Sequence, residues 1–253
     1  MTPLRAFFRK EIREVFRTWR IWVLPGLMLF FAVTSPIIAL LTPTLIASMA
    51  QTQPGVVVRF PDPTALDAYR LFLKNLDQLG ILALIIISAG AVAAERRSGT
   101  AVLVLTKPLE RSGFIVAKIV VQQVMLVIIT ALGAVLCALL TMVLFPGPQP
   151  SGFIPAVLLW LLFALMLIGA MTWFSVMLPT QGAAGVGLLF LFGMLLAGLW
   201  GPLTRYTFIG LSSAGTKLLV GGDPSLGGPI LTGLAAMTGF SALAVWKFRR
   251  VEL

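Results

Sequence analysis

The sequence predicts an all-α, polytopic membrane protein that crosses the bilayer six times, with an amphipathic helix before the first span and a short docking helix in a cytoplasmic loop. Three observations predict it. Of the 253 residues, 58% are hydrophobic and 11% charged, where a soluble domain carries about 25% charge. The apolar residues gather into six long runs. The basic residues gather between alternate runs.

Each run is judged against the ~20 apolar residues that a helix needs to cross hydrocarbon. The expected spans are 21–41, 78–94, 119–145, 153–178, 184–200 and 229–246. In lipid such runs must be helical, because only a helix satisfies its own backbone polar groups. Segment 21–41 is read as a span rather than a signal peptide. It is long for an h-region, the stretch before it is no simple basic n-region, and Ser48-Met49-Ala50 is a weak cleavage site. Pro25, Pro36 and Pro155 sit in or near spans and can kink them.

Orientation follows from Lys and Arg. Fourteen fall in residues 1–20, loop 95–118 and the tail, against five in 42–77 and 201–228. The richer side is expected in the cytoplasm of a cell (inner) membrane, with both termini there. The net charge of +10 is not read as a nucleic-acid surface, since the basic residues lie between apolar runs. The chain has no His, and its one Cys, Cys137, lies in an apolar run. Disulfides, zinc held by His and Cys, and a Ser-His-Asp triad are thereby excluded. No cofactor or metal is expected on this chain.

Residues 4–19 read as an interfacial amphipathic helix. Leu4, Phe7, Phe8, Ile12, Val15, Phe16 and Trp19 recur at helical spacing, with Arg5, Arg9, Arg13, Arg17 and Arg20 on other faces. Lys10 and Glu11 belong to the same stretch. The exported segment 42–77 is expected to be irregular over 42–63, where Pro43, Pro54, Pro61 and Pro63 fall. A helix then starts at Thr64-x-x-Asp67, a capping-box pattern with Asp in the Glu place. It should run into the second span, since residues 64–94 would measure about 46 Å, and it should either protrude or break at Gly80. The second exported segment, 201–228, is expected to hold a short helix or a re-entrant dip.

Loop 95–118, ERRSGTAVLVLTKPLERSGFIVAK, is the most informative stretch. Gly99 and Pro108 bound an apolar element, Thr100 to Thr106, too short to span anything. Such an element needs a partner surface. Ser112 is placed to cap the third span.

Ala93, Glu95, Gly99, Thr100, Leu105, Pro108, Leu109, Arg111 and Lys118 form a string that resembles type-2 permease subunits of ATP-binding-cassette (ABC) transporters. Arg9-Lys10-Glu11, the six spans and the Phe248-Arg249-Arg250 tail extend the likeness. The resemblance implies a membrane half-transporter: two permease subunits, identical or paralogous, with two copies of a separate ATPase that binds ATP and Mg. It implies that the loop is a coupling helix on the ATPase, through Glu95, Gly99, Thr100, Leu103, Leu105, Pro108, Leu109 and Arg111. It implies that the N-terminal helix is a connecting helix, through Phe8, Arg9, Lys10, Glu11, Ile12, Val15, Phe16 and Trp19. Spans two and five flank the central path in that family. The length of 42–77 departs from a minimal permease.

The chain is expected not to be an enzyme by itself, since no Gly is followed by Lys and no phosphate-binding loop exists. No charge falls in the cores of the six runs, which disfavours ion coupling and favours an apolar or amphipathic cargo. Thr34, Ser35, Ser88, Thr130, Thr141, Thr172 and Ser175 are expected to bond their own helix backbones, and Gln122 and Gln123 to bond across helices. The fifth run is rich in Gly. Gly187, Leu191, Met194 and Gly198 are candidates for a path or subunit interface, with ordinary packing inside one subunit as the other reading. An ATPase-independent channel or carrier, or force transmission to an extracytoplasmic partner, stands as the alternative function.

Overall fold

A computed structural model describes residues 3–17, 20–50, 62–100, 110–147 and 149–250. All regular structure among them is helical. Helix α1 is Pro3–Arg17, α2 Arg20–Ala50, α3 Ala65–Asn75, α4 Ile81–Ala89 and α5 Ala93–Arg97. Helix α6 is Arg111–Leu144, α7 Phe153–Met177, α8 Thr180–Ala197, α9 Gly201–Tyr206, α10 Leu211–Leu219 and α11 Gly227–Arg249. Six helical runs are long and apolar enough to cross a membrane: Trp22–Ile46, Ala65–Arg97, Arg111–Leu144, Phe153–Met177, Thr180–Ala197 and Gly227–Arg249.

Helix α7 is the central post. Most of its length is buried, including Trp160, Phe163, Met166, Leu167 and Met171. By contrast α8 and α11 present mostly exposed apolar faces, as lipid-facing helices do. Thr34, Thr141 and Thr172 each donate to a carbonyl four residues back in their own helices, whereas Ser175 departs from that expectation and donates to the Ala89 carbonyl on another helix. Gln123 Nε2 instead crosses to the Leu165 carbonyl on α7 at 3.3 Å.

Several boundaries differ from the sequence expectation, each for a physical reason. Residues 42–50 are helical, continuing α2 past Pro43. The Thr42 and Thr44 hydroxyls donate to the Ile38 and Leu41 carbonyls, the kind of side-chain compensation that lets a spanning helix accept proline. Residues 51–61 lie outside the described residues. The Asp67 carboxylate accepts from the Thr64 N–H at 3.0 Å and hydroxyl at 2.7 Å, so α3 starts where the capping pattern places it. From there the helix runs on through one π-helical turn, Leu76–Gly80, into α4. Of the two outcomes expected for this long helix, protrusion or a break at Gly80, the second does not occur: it is continuous through Gly80 and breaks only at Gly90–Val92.

This longer second span brings Asp77 into a run that had looked free of charge. The Ser212 hydroxyl on α10 donates to its carboxylate at 2.6 Å. Ser112 does not cap α6. The cap position is Glu110, two residues earlier, and the Ser112 hydroxyl donates to the Glu110 carboxylate at 3.1 Å. The turn before α8 shrinks to Leu178 and Pro179 because α8 begins at Thr180. Segment 201–228 folds as α9, a 3₁₀ turn at Phe208–Gly210, and α10.

Candidate functional site

Helix α1, the last turns of α11 and two interhelical segments meet at one end of the bundle. In α1, spacing of three and four residues puts Phe7, Lys10, Glu11 and Glu14 on one side. That side faces the protein. The Phe7 ring stacks on Phe114 of α6 at 5.2 Å, and Phe114 stacks on Phe248 of α11 at 5.2 Å. Val92, Ile115, Ile119, Val176 and Ala244 complete this small core. The aromatic face of α1 is therefore not given wholly to lipid, as its spacing had suggested.

Beside this stack lies a joint of five charges. Lys118 Nζ sits 3.0 Å from Glu11 Oε2 and 2.8 Å from Glu95 Oε1. Lys10 Nζ sits 2.9 Å from the same Glu95 oxygen, 3.1 Å from Glu11 and 2.5 Å from Glu14. Glu11, Glu95 and Lys118 are only 6%, 7% and 6% exposed. At such burial an unpaired charge is costly and a paired one is fixed in place. Three carboxylates against two ammonium groups leave one net negative charge.

Burial works against the charged form of Lys10. The hydrogen bonds to Glu14 and Glu95 and the charges of Glu11 and Glu95 together outweigh it and hold its pKa above the ordinary lysine value. The contribution of Lys10 to stability is thus fully present below the ordinary lysine pKa, and is lost only as pH climbs through the raised one.

Oxygens of Glu11, Glu14 and Glu95 lie within 4.8 Å of one another, a spacing suited to a metal ion. The Lys10 ammonium touches all three and occupies the position a metal would take. The second Glu95 oxygen and the Gln122 carbonyl oxygen are buried without a hydrogen-bond donor. Both residues line a cavity of about 190 Å³ that runs from the joint between α2, α4 and α6.

Helix α5 is fastened on its other side to α7. One hydroxyl, Ser175 Oγ, accepts from the Val92 and Ala93 N–H groups at 3.0 Å each and donates to the Ala89 carbonyl at 2.8 Å. It thereby satisfies backbone groups released by the break at Gly90–Val92. The Arg96 guanidinium donates to the Val176 carbonyl. Glu95 then links α5 to α1 and α6. After α5 the chain leaves through Gly99 at φ 73°, a left-handed conformation that glycine adopts without penalty.

Of the residues expected at the loop and N-terminal helix, the structure brings Glu95, Lys10 and Glu11 together. Phe8 packs at the edge of the aromatic core. Arg9 and Ile12 are exposed. The Thr100 and Ser98 hydroxyls are 2.7 Å apart. Arg111 donates to the Arg249 carbonyl at 3.3 Å. Leu103, Leu105, Pro108, Leu109 and Trp19, with the side chains of Val15 and Phe16, lie outside the described residues.

In α8, Gly187 and Met194 are buried and Leu191 packs on the main core. A methyl group added at Gly187 would press on Met171 and Ile85, and one at Gly198 would reach Ile209. Gly185 and Gly193 face open space.

Sequence reasoning missed Lys118 as the hub and Ser175 as the clamp. The signal for Lys118 was present: a lysine inside FIVAKIVV is surrounded by apolar residues and must find a counter-ion. Ser175 gives no such signal, because its partners are backbone groups more than 80 residues away.

Six candidate spans, with a charged joint between a pre-span helix and an inter-span loop, define a polytopic membrane protein. The family model for ABC-2 family transporter proteins matches residues 5–212, and the chain belongs to that family. It is similar along its whole length to the uncharacterized transmembrane protein YxlG of Bacillus subtilis (strain 168), at 23% identity over 257 residues, covering 100% of this chain and 99% of the other. The family match includes every charged residue of the joint. Membership makes this chain an ABC-2 type membrane subunit, a class that associates with an ABC ATPase.

Proposed function

We propose that this chain is the permease half of an ATP-driven exporter in the cell membrane, with both termini in the cytoplasm. Two copies of a separate ATPase bind ATP and Mg and hydrolyse the nucleotide. A second permease subunit, identical or paralogous, completes the path, with the exposed faces of α8 available to it. The observation that carries this reading is the five-charge joint. It fixes α1, the start of the 95–118 loop and the third span to one another, so that force on the loop reaches three helices at once. The Lys and Arg bias puts this end in the cytoplasm, where the ATPase is. The mostly apolar interior supports an apolar or amphipathic cargo.

Residues 99–108 are the ATPase contact in this reading. The test is co-purification with the ATPase and reconstitution in liposomes. Gly99→Pro combined with Pro108→Ala should abolish stimulation of ATP turnover while the complex still assembles. Unchanged stimulation would refute the coupling role. Ion-driven flux through the chain alone would favour a carrier. Coupled ATP turnover that never moves cargo would favour force transmission.

A further inference from the structure

A groove of about 540 Å³ runs between α6 and α11 on the outer surface of the bundle. Its walls are Val116, Val120, Met237, Ala242, Val245 and Trp246, and Arg249 stands at one end. The polar groups in it are already engaged. Gln123 donates to Leu165, Ser241 to Met237, and Thr238 to carbonyls of its own helix. The walls therefore offer a mostly apolar surface whose side-chain hydroxyl protons are already used within the protein.

The mouth has the opposite chemistry. Arg249 lines it, and the Arg250 guanidinium lies 4.2 Å from the centre of the Trp246 ring. Arg111 reaches across from α6 to the Arg249 carbonyl and ties the two walls together. Among the described residues Glu110, next to Arg111, is a carboxylate at this end, and it accepts from Ser112. Trp246 is half exposed, in the manner of an aromatic at the membrane–water boundary. From Met237 to Arg249 the groove follows α11 for roughly 18 Å at the α-helical rise. Half of a hydrocarbon core is about 15 Å. The groove is thus one leaflet deep, apolar along its length and cationic at the headgroup level.

We propose that this groove is a binding site for one anionic phospholipid, its acyl chain lying between α6 and α11 and its phosphate held by Arg249 and Arg250. Guanidinium groups match phosphate oxygens in geometry as well as charge. A basic pocket between spanning helices selects anionic over zwitterionic headgroups.

The full-length chain is reconstituted into nanodiscs holding phosphatidylglycerol and phosphatidylcholine of matched chains. Lipids retained after transfer to mild detergent are counted by native mass spectrometry. Each arginine near the headgroups contributes about a fivefold preference, so phosphatidylglycerol should be retained roughly 25-fold over phosphatidylcholine. Arg249→Gln with Arg250→Gln should bring the two lipids to parity. Ala242→Trp keeps both charges but fills the groove, and should release the bound lipid. Both sites are exposed, and an unchanged elution volume confirms a folded variant. Equal retention of the two lipids by the unmodified chain overturns the proposal. So does full retention in Ala242→Trp, or displacement by inorganic phosphate alone, which would mark a phosphate site with no acyl chain.

Discussion

At the basic end, helices are joined by charge. At the opposite end they are joined by close backbone approach and neutral contacts. There Tyr69 of α3 stacks on Phe153 of α7 at 4.0 Å, and its hydroxyl donates to Gln149 at 2.9 Å. Asn75 donates to Ser35 at 3.2 Å. Gly152 lies so near α10 that an added methyl would collide with the Leu218 carbonyl. Asp77, which accepts from the Ser212 hydroxyl, is the carboxylate among these contacts. The two ends differ in what they tolerate. A charged joint is broken by removing one partner, because the others stay buried and uncompensated. A close-packed joint is broken by adding volume.

That contrast orders the expected effects. Lys118→Met should be the largest, about 3–5 kcal/mol, since it leaves Glu11 and Glu95 short of a counter-ion in a buried site. Thermal unfolding in detergent measures it. Lys118→Arg keeps the charge and should recover part of the loss. Ser175→Ala comes next, at about 1–3 kcal/mol, the cost of leaving buried backbone donors without their acceptor. Its signature is faster hydrogen exchange at the Val92 and Ala93 amides, with little change around Tyr69.

Gly152→Ala should cost about 1–3 kcal/mol through overpacking, and should loosen α10 while leaving the charged joint intact. Asp77→Asn should be smallest, about 1 kcal/mol, because the Ser212 hydroxyl still donates to the amide oxygen and only the charge assistance goes. An Asp77→Asn loss as large as that of Lys118→Met would end the distinction between the two ends.

Much of the fold was legible in the sequence because lipid imposes a one-dimensional rule. A run without charge must be helical and long, and six such runs give six spans. Thr64 and Asp67 act within one turn, so that helix start was legible too. What failed was local inference where a distant partner decides. Asp77 looked like the end of an exported segment, since Ser212 lies 135 residues away. The break at Gly90–Val92 gave no sign in the sequence, because the Ser175 hydroxyl that satisfies its backbone groups lies on another helix. Pro43 read as the start of irregular chain, yet threonines beside it offset the lost hydrogen bond. At the candidate site, Lys10, Glu11 and Glu95 were singled out from a family pattern. Their meeting around Lys118 became visible only in three dimensions.

The charged joint also bears on the order of biosynthesis. Glu11 emerges from the ribosome more than 100 residues before Lys118, so two complete membrane crossings are made before its principal counter-ion exists. Until then Glu11 has its neighbour Lys10 as counter-ion on α1. Asp77 waits longer still, since Ser212 follows the fifth crossing. Nascent chains truncated before residue 118 should therefore leave α1 undocked, and one lysine acts as the latch that closes the N-terminal half during synthesis.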